Sequence, residues 1–254
     1  MDENPYDRLY ESIAQSTTYR EVLRAAVPSL PGWIVPLSVT SLHDLEVFSD
    51  LMELRPGQRF VDLACGLGGV ALWISERSGA TCSAVDFSTV AIQHAAELAK
   101  SRGLNGRATF VAADMCESGL ESKAFDSVLS VDAVQFVDAD KIAAEIARIL
   151  RPGGIAVVRS WEALSEDVPR PTMVTDYRPV FERAGFQLVS KAIIEDRLEW
   201  LNYFTEIDRR ASAFREELGD AVEPILEEAA EMLRRADQPP RTQRMLLKVR
   251  RQLN

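Results

Sequence analysis

Four aspartates stand at or beside the ends of short apolar runs. Asp62 lies in 59–64, Asp86 follows 81–85, Asp114 follows 108–112 and Asp132 follows 125–131. The first is trailed by Ala64-Cys65-Gly66-Leu67-Gly68-Gly69. Such runs read as strands, and strands separated by helical segments form a parallel sheet. The C-terminal ends of parallel strands share one edge, so the four carboxylates converge on one crevice. Glycines there permit a tight turn and let a ligand lie against bare backbone. The helix that follows turns its unpaired N–H groups toward the same spot. A single aspartate after a strand also serves as a helix N-cap. Four in one role, beside a glycine loop, exceed what capping needs.

Each carboxylate suits a particular partner. Asp86 can accept from both hydroxyls of a ribose, as in dinucleotide sites. Asp114 can accept from an adenine amino group while the Met115 thioether packs on the ring. Asp62, just ahead of the glycines, repels a pyrophosphate but suits an ammonium group and a sulfonium. Residues 66–71 do match the G-x-G-x-x-G/A dinucleotide pattern, which is weakly specific alone. Asp62 and Asp114 together favour a cationic adenosyl ligand.

The elements that must position these groups follow in order. Residues 1–30 carry helical spacing, and a turn-rich linker contains Pro28, Pro31, Gly32 and Pro36. A short helix is expected over 44–53. Strands are expected at 59–64, 81–85, 108–112, 125–131 and 155–159, with helices at 68–77, 89–102 and 139–150 between them. A short helix at 176–184 precedes a strand at 186–194. Two apolar stripes within 197–237, one from Leu198 to Leu218 and one from Val222 to Leu233, give a helical insertion before a last strand at 244–250. The expected organisation is an N-terminal helical cap segment (1–56), a Rossmann-like core (57–195), a helical cap insertion (196–240) and the last core strand (241–254).

Composition narrows the partners. With 39 acidic against 29 basic residues, net charge −10, nucleic acid and anionic membrane are disfavoured. No apolar run reaches the roughly 20 residues that span a bilayer, and residues 1–5 contain no signal-peptide core. A soluble, cytoplasmic protein is expected. Cys65, Cys82 and Cys116 have no metal-ligand spacing and read as buried small residues in a reducing compartment, so no metal is expected.

The segment V-D-L-A-C-G-L-G-G (61–69) resembles the first motif of the class I S-adenosylmethionine-dependent methyltransferases, with Ala64 where glycine is commonest. A-V-D-F-S (84–88), V-A-A-D-M (111–115), F-D-S-V-L-S-V-D-A-V-Q-F-V (125–137) and R-I-L-R-P-G-G (148–154) are similar to the motifs that follow, in family order. The resemblance covers roughly 57–160. It implies an α/β, doubly wound, seven-stranded sheet with an antiparallel seventh strand and S-adenosyl-L-methionine as cofactor. It implies cofactor contacts at Asp62, Ala64, Gly66 and Gly68, at Asp86 and Phe87, at Asp114 and Met115, and at Val131. The flanking helices look like the caps of the small-molecule branch, which acts in secondary metabolism. The stretch after strand four lacks the Asn/Asp-Pro-Pro-aromatic motif of methyltransferases that act on bases.

The expected activity is therefore methyl transfer to O, N or C of a small aromatic or polyketide-like metabolite. The rivals are a cyclase or binding protein that keeps the cofactor on the same fold, and a nicotinamide-dependent oxidoreductase. In-line displacement from a sulfonium needs alignment in a dry site, and a base only if the acceptor must lose a proton. Candidate catalytic groups are His43, just ahead of the core, and Asp132 and Gln135 after strand four. His94 is expected to be structural. Trp33, Trp161, Trp200, Tyr203 and Phe204 are candidates to line an apolar acceptor site, and Tyr6, Tyr10 and Tyr19 to close over the cofactor. The sequence leaves the oligomeric state open, a dimer included.

Overall fold

The computed structural model describes residues 5–166 and 170–253. Residues 1–4 of the first expected segment and 254 of the last therefore lie outside the described residues. Seven strands form one sheet: β1 (Arg59–Leu63), β2 (Thr81–Asp86), β3 (Ala108–Ala112), β4 (Phe125–Val131), β5 (Leu150–Ala163), β6 (Phe186–Ile194) and β7 (Thr242–Arg251), in the order β3-β2-β1-β4-β5-β7-β6. Neighbours pair in parallel except β7, which is antiparallel to both β5 and β6. Strand order reverses beside β1, so a crevice opens between the C-terminal ends of β1 and β4, where Leu63 is in register with Ser130.

The period-two alternation of the strands divides the core. Phe60, Leu129 and Val157 bury one face against α3 (Leu42–Met52), α4 (Gly69–Ser78) and α5 (Thr89–Ser101). Val61, Val128 and Ala156 bury the other against α6 (Ala139–Ile149) and α7 (Arg178–Arg183). Local chemistry starts the helices where the chain needs them. Ser88 accepts from the Ala91 N–H to cap α5, and Ser41 with Asp44 forms a reciprocal box that starts α3. On α6, Ile142, Ile146 and Ile149 face inward at helical spacing.

Before the sheet come α1 (Pro5–Gln15) and α2 (Thr17–Ala26). Between β6 and β7 lie α8 (Arg197–Arg209), α9 (Ala211–Leu218) and α10 (Glu223–Arg234). Helix α8 packs on α2 and α10, so the N-terminal helices and the insertion form one layer over the strand ends. Strand β5 begins at Leu150, five residues before the expected start. Residues 150–154 stay in the ladder because Leu150 pairs with Phe125 across an irregularity in β4, so the Pro-Gly-Gly turn lies within the strand.

Ala64 adopts φ 63, the left-handed region that favours glycine. Ala64→Gly is therefore expected to leave stability unchanged or raise it by up to about 1 kcal/mol. Urea denaturation checks this, and a loss above that size would show that the methyl group's packing outweighs the backbone strain.

Candidate functional site

A cavity of about 1360 Å³ opens at the C-terminal ends of β1, β2 and β4, under α1, α8 and α10. That exceeds the roughly 300–1,000 Å³ of a single-ligand pocket, so there is room for two molecules side by side. One end is backbone and carboxylate, and the other is apolar and aromatic.

The first end is built from the glycine loop. Gly66 has φ 51, and a Cβ there would sit 3.1 Å from the Tyr10 hydroxyl. Gly68 has φ 76, and a Cβ there would lie 2.7 Å from the Ala95 methyl. Side chains at either position would close the approach to the loop or push α5 away. Asp86 holds the loop in place: its carboxylate accepts from the Gly66 N–H at 2.9 Å and the Ser88 N–H at 3.0 Å. Burial raises its pKa against those bonds. Tyr10 lies on the loop, and burial followed by the Asp86 charge pushes its hydroxyl well above the ordinary value. Helix α1 is fastened to α5 by Ser88 donating to Asp7 and by Glu11 lying 3.3 Å from His94.

Asp62 differs from the other strand-end carboxylates. It is 2 % exposed and lines the cavity, and no protein donor among the described residues bonds its side chain. Burial, with the Asp86 charge adding to it, pushes its carboxyl up to about 8. A buried carboxylate without a partner is costly unless a cation arrives to pair with it. Ala64, Phe87, Asp114, Met115 and Val131 line the same end of the cavity. Phe87 is half exposed and meets Tyr6 edge-on at 5.3 Å. Asp114 is exposed and accepts from the Cys116 N–H at 2.7 Å. Of the expected cofactor residues only Gly68 is off the cavity lining, since it shapes the loop from behind.

The catalytic expectations change. His43 is exposed and does not line the cavity. The capping box starts α3 at Leu42, two residues before the expected start, and Leu45, Phe48 and Met52 take the buried face, so His43 is turned to solvent. Asp132 lines the cavity, but its carboxylate is committed to two arginines. Arg159 Nη2 donates to it at 3.0 Å, Arg244 Nε donates at 3.0 Å, and Arg244 Nη2 donates to the second oxygen. Burial would raise its pKa, but Arg159 and Arg244 outweigh that and hold it below the ordinary carboxylate range. A base needs the opposite. Gln135 is likewise occupied, its Nε2 donating to the Asp132 carbonyl and its Oε1 accepting from Ser160, both at 2.7 Å.

Sequence reading missed the two arginines. Arg159, on β5, is fully buried, reaching Thr40 at 2.6 Å and Asp44 at 3.2 Å. Arg244, on β7, also pairs with Asp196 at the start of α8. Its guanidinium lies 5.6 Å from the Trp161 ring and 5.1 Å from that of Trp200. Trp161, Trp200, Tyr203 and Phe204 form the aromatic end, while Trp33 is off the cavity and stacks under Arg102 at 3.8 Å. Tyr6 and Tyr10 line the cavity, and Tyr19 stands behind it, bonded to Tyr203 at 2.8 Å. Glu228 of α10 also faces in, between Ile225 and Met232. Among the described residues no helix is long and apolar enough to cross a membrane, and no cluster of three or more His, Cys, Asp or Glu could hold a metal ion.

Residues 61–158 match a methyltransferase domain family. The methyltransferase GfsG of Streptomyces halstedii is 29 % identical over 125 residues, which is 49 % of this chain and 45 % of that protein. The sterol 24-C-methyltransferase of Pneumocystis carinii is 22 % identical over 186 residues, 64 % of this chain and 49 % of that protein. The chain thus spans about half the length of the curated relatives it matches. The crystal structure of the (4+2)-cyclase SpnF superimposes with a TM-score of 0.73 at 20 % identity, covering 83 % of this chain and 81 % of that one, which shows a shared fold.

Proposed function

We propose that this chain, a class I S-adenosylmethionine-dependent methyltransferase, transfers a methyl group to a small, largely apolar metabolite of aromatic or polyketide-like character. One observation carries the reading: a single cavity has an unpaired buried carboxylate and a glycine loop at one end and an aromatic lining at the other. When bound, the cofactor supplies an electrophilic methyl carbon on a sulfonium whose departure leaves a neutral thioether. Asp62 and the 64–68 backbone would hold its methionine portion. Asp86 would accept from the ribose hydroxyls, since each carboxylate oxygen retains a lone pair beyond the backbone bond it accepts. Met115, Phe87 and Val131 would pack on the adenine, and Asp114 would accept from its amino group. The helices over the cavity exclude water, and the aromatic end orients the acceptor.

The sterol 24-C-methyltransferase among the relatives supports a small-molecule acceptor. A net charge of −10 argues against nucleic acid, and a free metabolite in the cytoplasm fits the same composition. Calorimetry with S-adenosylmethionine and with nicotinamide dinucleotides, followed by labelled methyl transfer to a panel of phenols, amines and polyketides, tests the proposal. Dinucleotide binding without S-adenosylmethionine binding would overturn it. Tight cofactor binding with no transfer to any acceptor would favour the non-methylating cyclase reading. Asp86→Ala is expected to weaken cofactor binding by about 1.5–3 kcal/mol, roughly ten- to a hundred-fold, through lost charge-assisted hydrogen bonds. Unchanged affinity would remove Asp86 from the ribose.

A further inference from the structure

The carboxylates that line the cavity are of two kinds. Asp86, Asp114, Asp132 and Asp196 are each bonded to backbone N–H groups or to arginine. Asp62 has no protein partner and belongs to the cofactor end. Glu195 is also uncommitted, but it stands on the exposed rim just beyond β6. That leaves Glu228.

Glu228 occupies a defined stripe. Pro224, Ile225, Glu228, Met232 and Arg235 all line the cavity, at the three- and four-residue spacing of one helix face. Its neighbours on that face toward the cavity centre are apolar. Glu228 is itself solvent-exposed, but it is held on a helix face, where Glu195 is not, and the protein around it raises its carboxyl pKa by burial, with the Arg170 charge opposing. No hydrogen bond or ion pair among the described residues uses its carboxylate.

The groups facing it have a fixed polarity. Tyr19 Oη donates to the Pro36 carbonyl at 2.8 Å, and that oxygen can only accept. The Tyr19 proton is thereby spent, so in the 2.8 Å contact between the two tyrosines Tyr203 is the donor. Tyr203 lines the cavity, but its hydroxyl is buried with its proton committed to Tyr19. Burial chiefly raises the pKa of both tyrosines, with the Glu228 charge adding a smaller share, and the Tyr10 charge acts on Tyr19 in the same way. The polar series therefore runs from the loop at Gly66 through Tyr10, Tyr19 and Tyr203 to Glu228. At its far end the series offers the cavity one unbonded carboxylate, Glu228.

We propose that Glu228 is the proton acceptor for the methylated group, and that the natural acceptor bears an O–H or N–H at the atom that becomes methylated. This rests on the methyl-transfer reading above. In the step, a lone pair on the acceptor oxygen or nitrogen forms the new bond to the methyl carbon. The methyl–sulfur bond breaks with its electron pair remaining on sulfur. The acceptor's proton passes to the Glu228 carboxylate.

Two measurements on the full chain test this, with Glu228→Gln as the variant and Glu228→Asp as the conservative control. First, benzylamine, a compact aromatic ring carrying an ammonium donor, is titrated by calorimetry into protein saturated with S-adenosylhomocysteine. Glu228→Gln should weaken binding about ten- to a hundred-fold, and Glu228→Asp should retain most of it. Equal binding to wild type and Glu228→Gln would overturn the proposal. Second, among phenols and amines that accept label from S-adenosylmethionine, Glu228→Gln should lower kcat by about 10²- to 10⁴-fold with KM for S-adenosylmethionine unchanged. Full kcat in that variant would overturn the assignment while leaving methyl transfer intact. Glu228-dependent benzylamine binding without transfer to any acceptor would uphold the donor-binding carboxylate and overturn the methyltransferase reading instead. Unchanged thermal unfolding of the variants excludes misfolding as the cause of any loss.

Discussion

Asp132→Ala should destabilise the fold by about 3–5 kcal/mol, because it strands two buried arginines. Arg159 and Arg244 have side chains 0 % and 1 % exposed, and Asp132 is the one carboxylate that both share. With it gone, the carboxylates left are Asp44 beside Arg159 and Asp196 beside Arg244, with the neutral acceptors of Val39 and Thr40. A folded-state pKa held below the ordinary range means that Asp132 contributes stability above its unfolded pKa, near 4. That contribution is lost only as pH falls through the lower folded value. Stability owed to this network should therefore be flat from pH 6 to 8 and fall in acid. Guanidinium denaturation measures both effects. Removing Arg244 as well, in Asp132→Ala with Arg244→Met, should recover part of the loss, since one stranded charge is better than two. Wild-type stability in Asp132→Ala, with activity abolished, would reverse the conclusion and restore Asp132 as a base.

Asp62→Asn should do the opposite to the free protein. An acid whose folded pKa lies well above its unfolded value binds more protons when folded. Wild-type stability should then fall as pH rises from about 4 toward 8, and the asparagine variant should escape that fall. At pH 8 the variant should be the more stable by an amount on the order of a few kcal/mol, after allowance for water entering the cavity. It should also bind S-adenosylmethionine at least tenfold more weakly, having lost the charge that meets the ammonium group. In wild type, binding at pH 7 should release close to one proton as Asp62 ionises, and affinity should strengthen with pH up to about 8. Calorimetry in buffers of different ionisation enthalpy counts that proton. No proton release, or equal release from the variant, would place the titration elsewhere.

The parts of this architecture legible from sequence were those written locally. Strand-helix alternation and the glycine loop each depend on residues a few positions apart, so periodicity and turn chemistry reveal them. The convergence of Asp62, Asp86 and Asp114 was legible because parallel strands force it. Asp132 was misread because its partners are remote: Arg159 is 27 positions away and Arg244 is 112. Nothing in the local pattern distinguishes a free carboxylate from a clamped one. His43 looked available because its position ahead of the core was visible while the capping box that turns it outward was not weighed. Glu228 was passed over for a different reason. The inward stripe of α10 was read at Ile225, Leu226, Ala229 and Leu233, the face packed on the protein, whereas the cavity-facing stripe beside it mixes Pro, Ile, Glu, Met and Arg and has no hydrophobic signature.

Strand β7 carries a further consequence, for the order in which the molecule is made. It lies between β5 and β6, both synthesised earlier, and supplies every ladder bond that joins them. During vectorial synthesis β6 has no sheet neighbour until residues 242–251 leave the ribosome, and those residues must then slot into a prepared gap. Because β7 also brings Arg244 to Asp132, the strand end at the cavity acquires the second of its two arginines in the same late event. The first four strands pair only with one another and with β5, all of them made earlier, and can settle while the chain is still growing. The nascent chain thus holds the β1–β4 side of the cavity first, and the β5–β7 side is completed only once residues 242–251 have emerged.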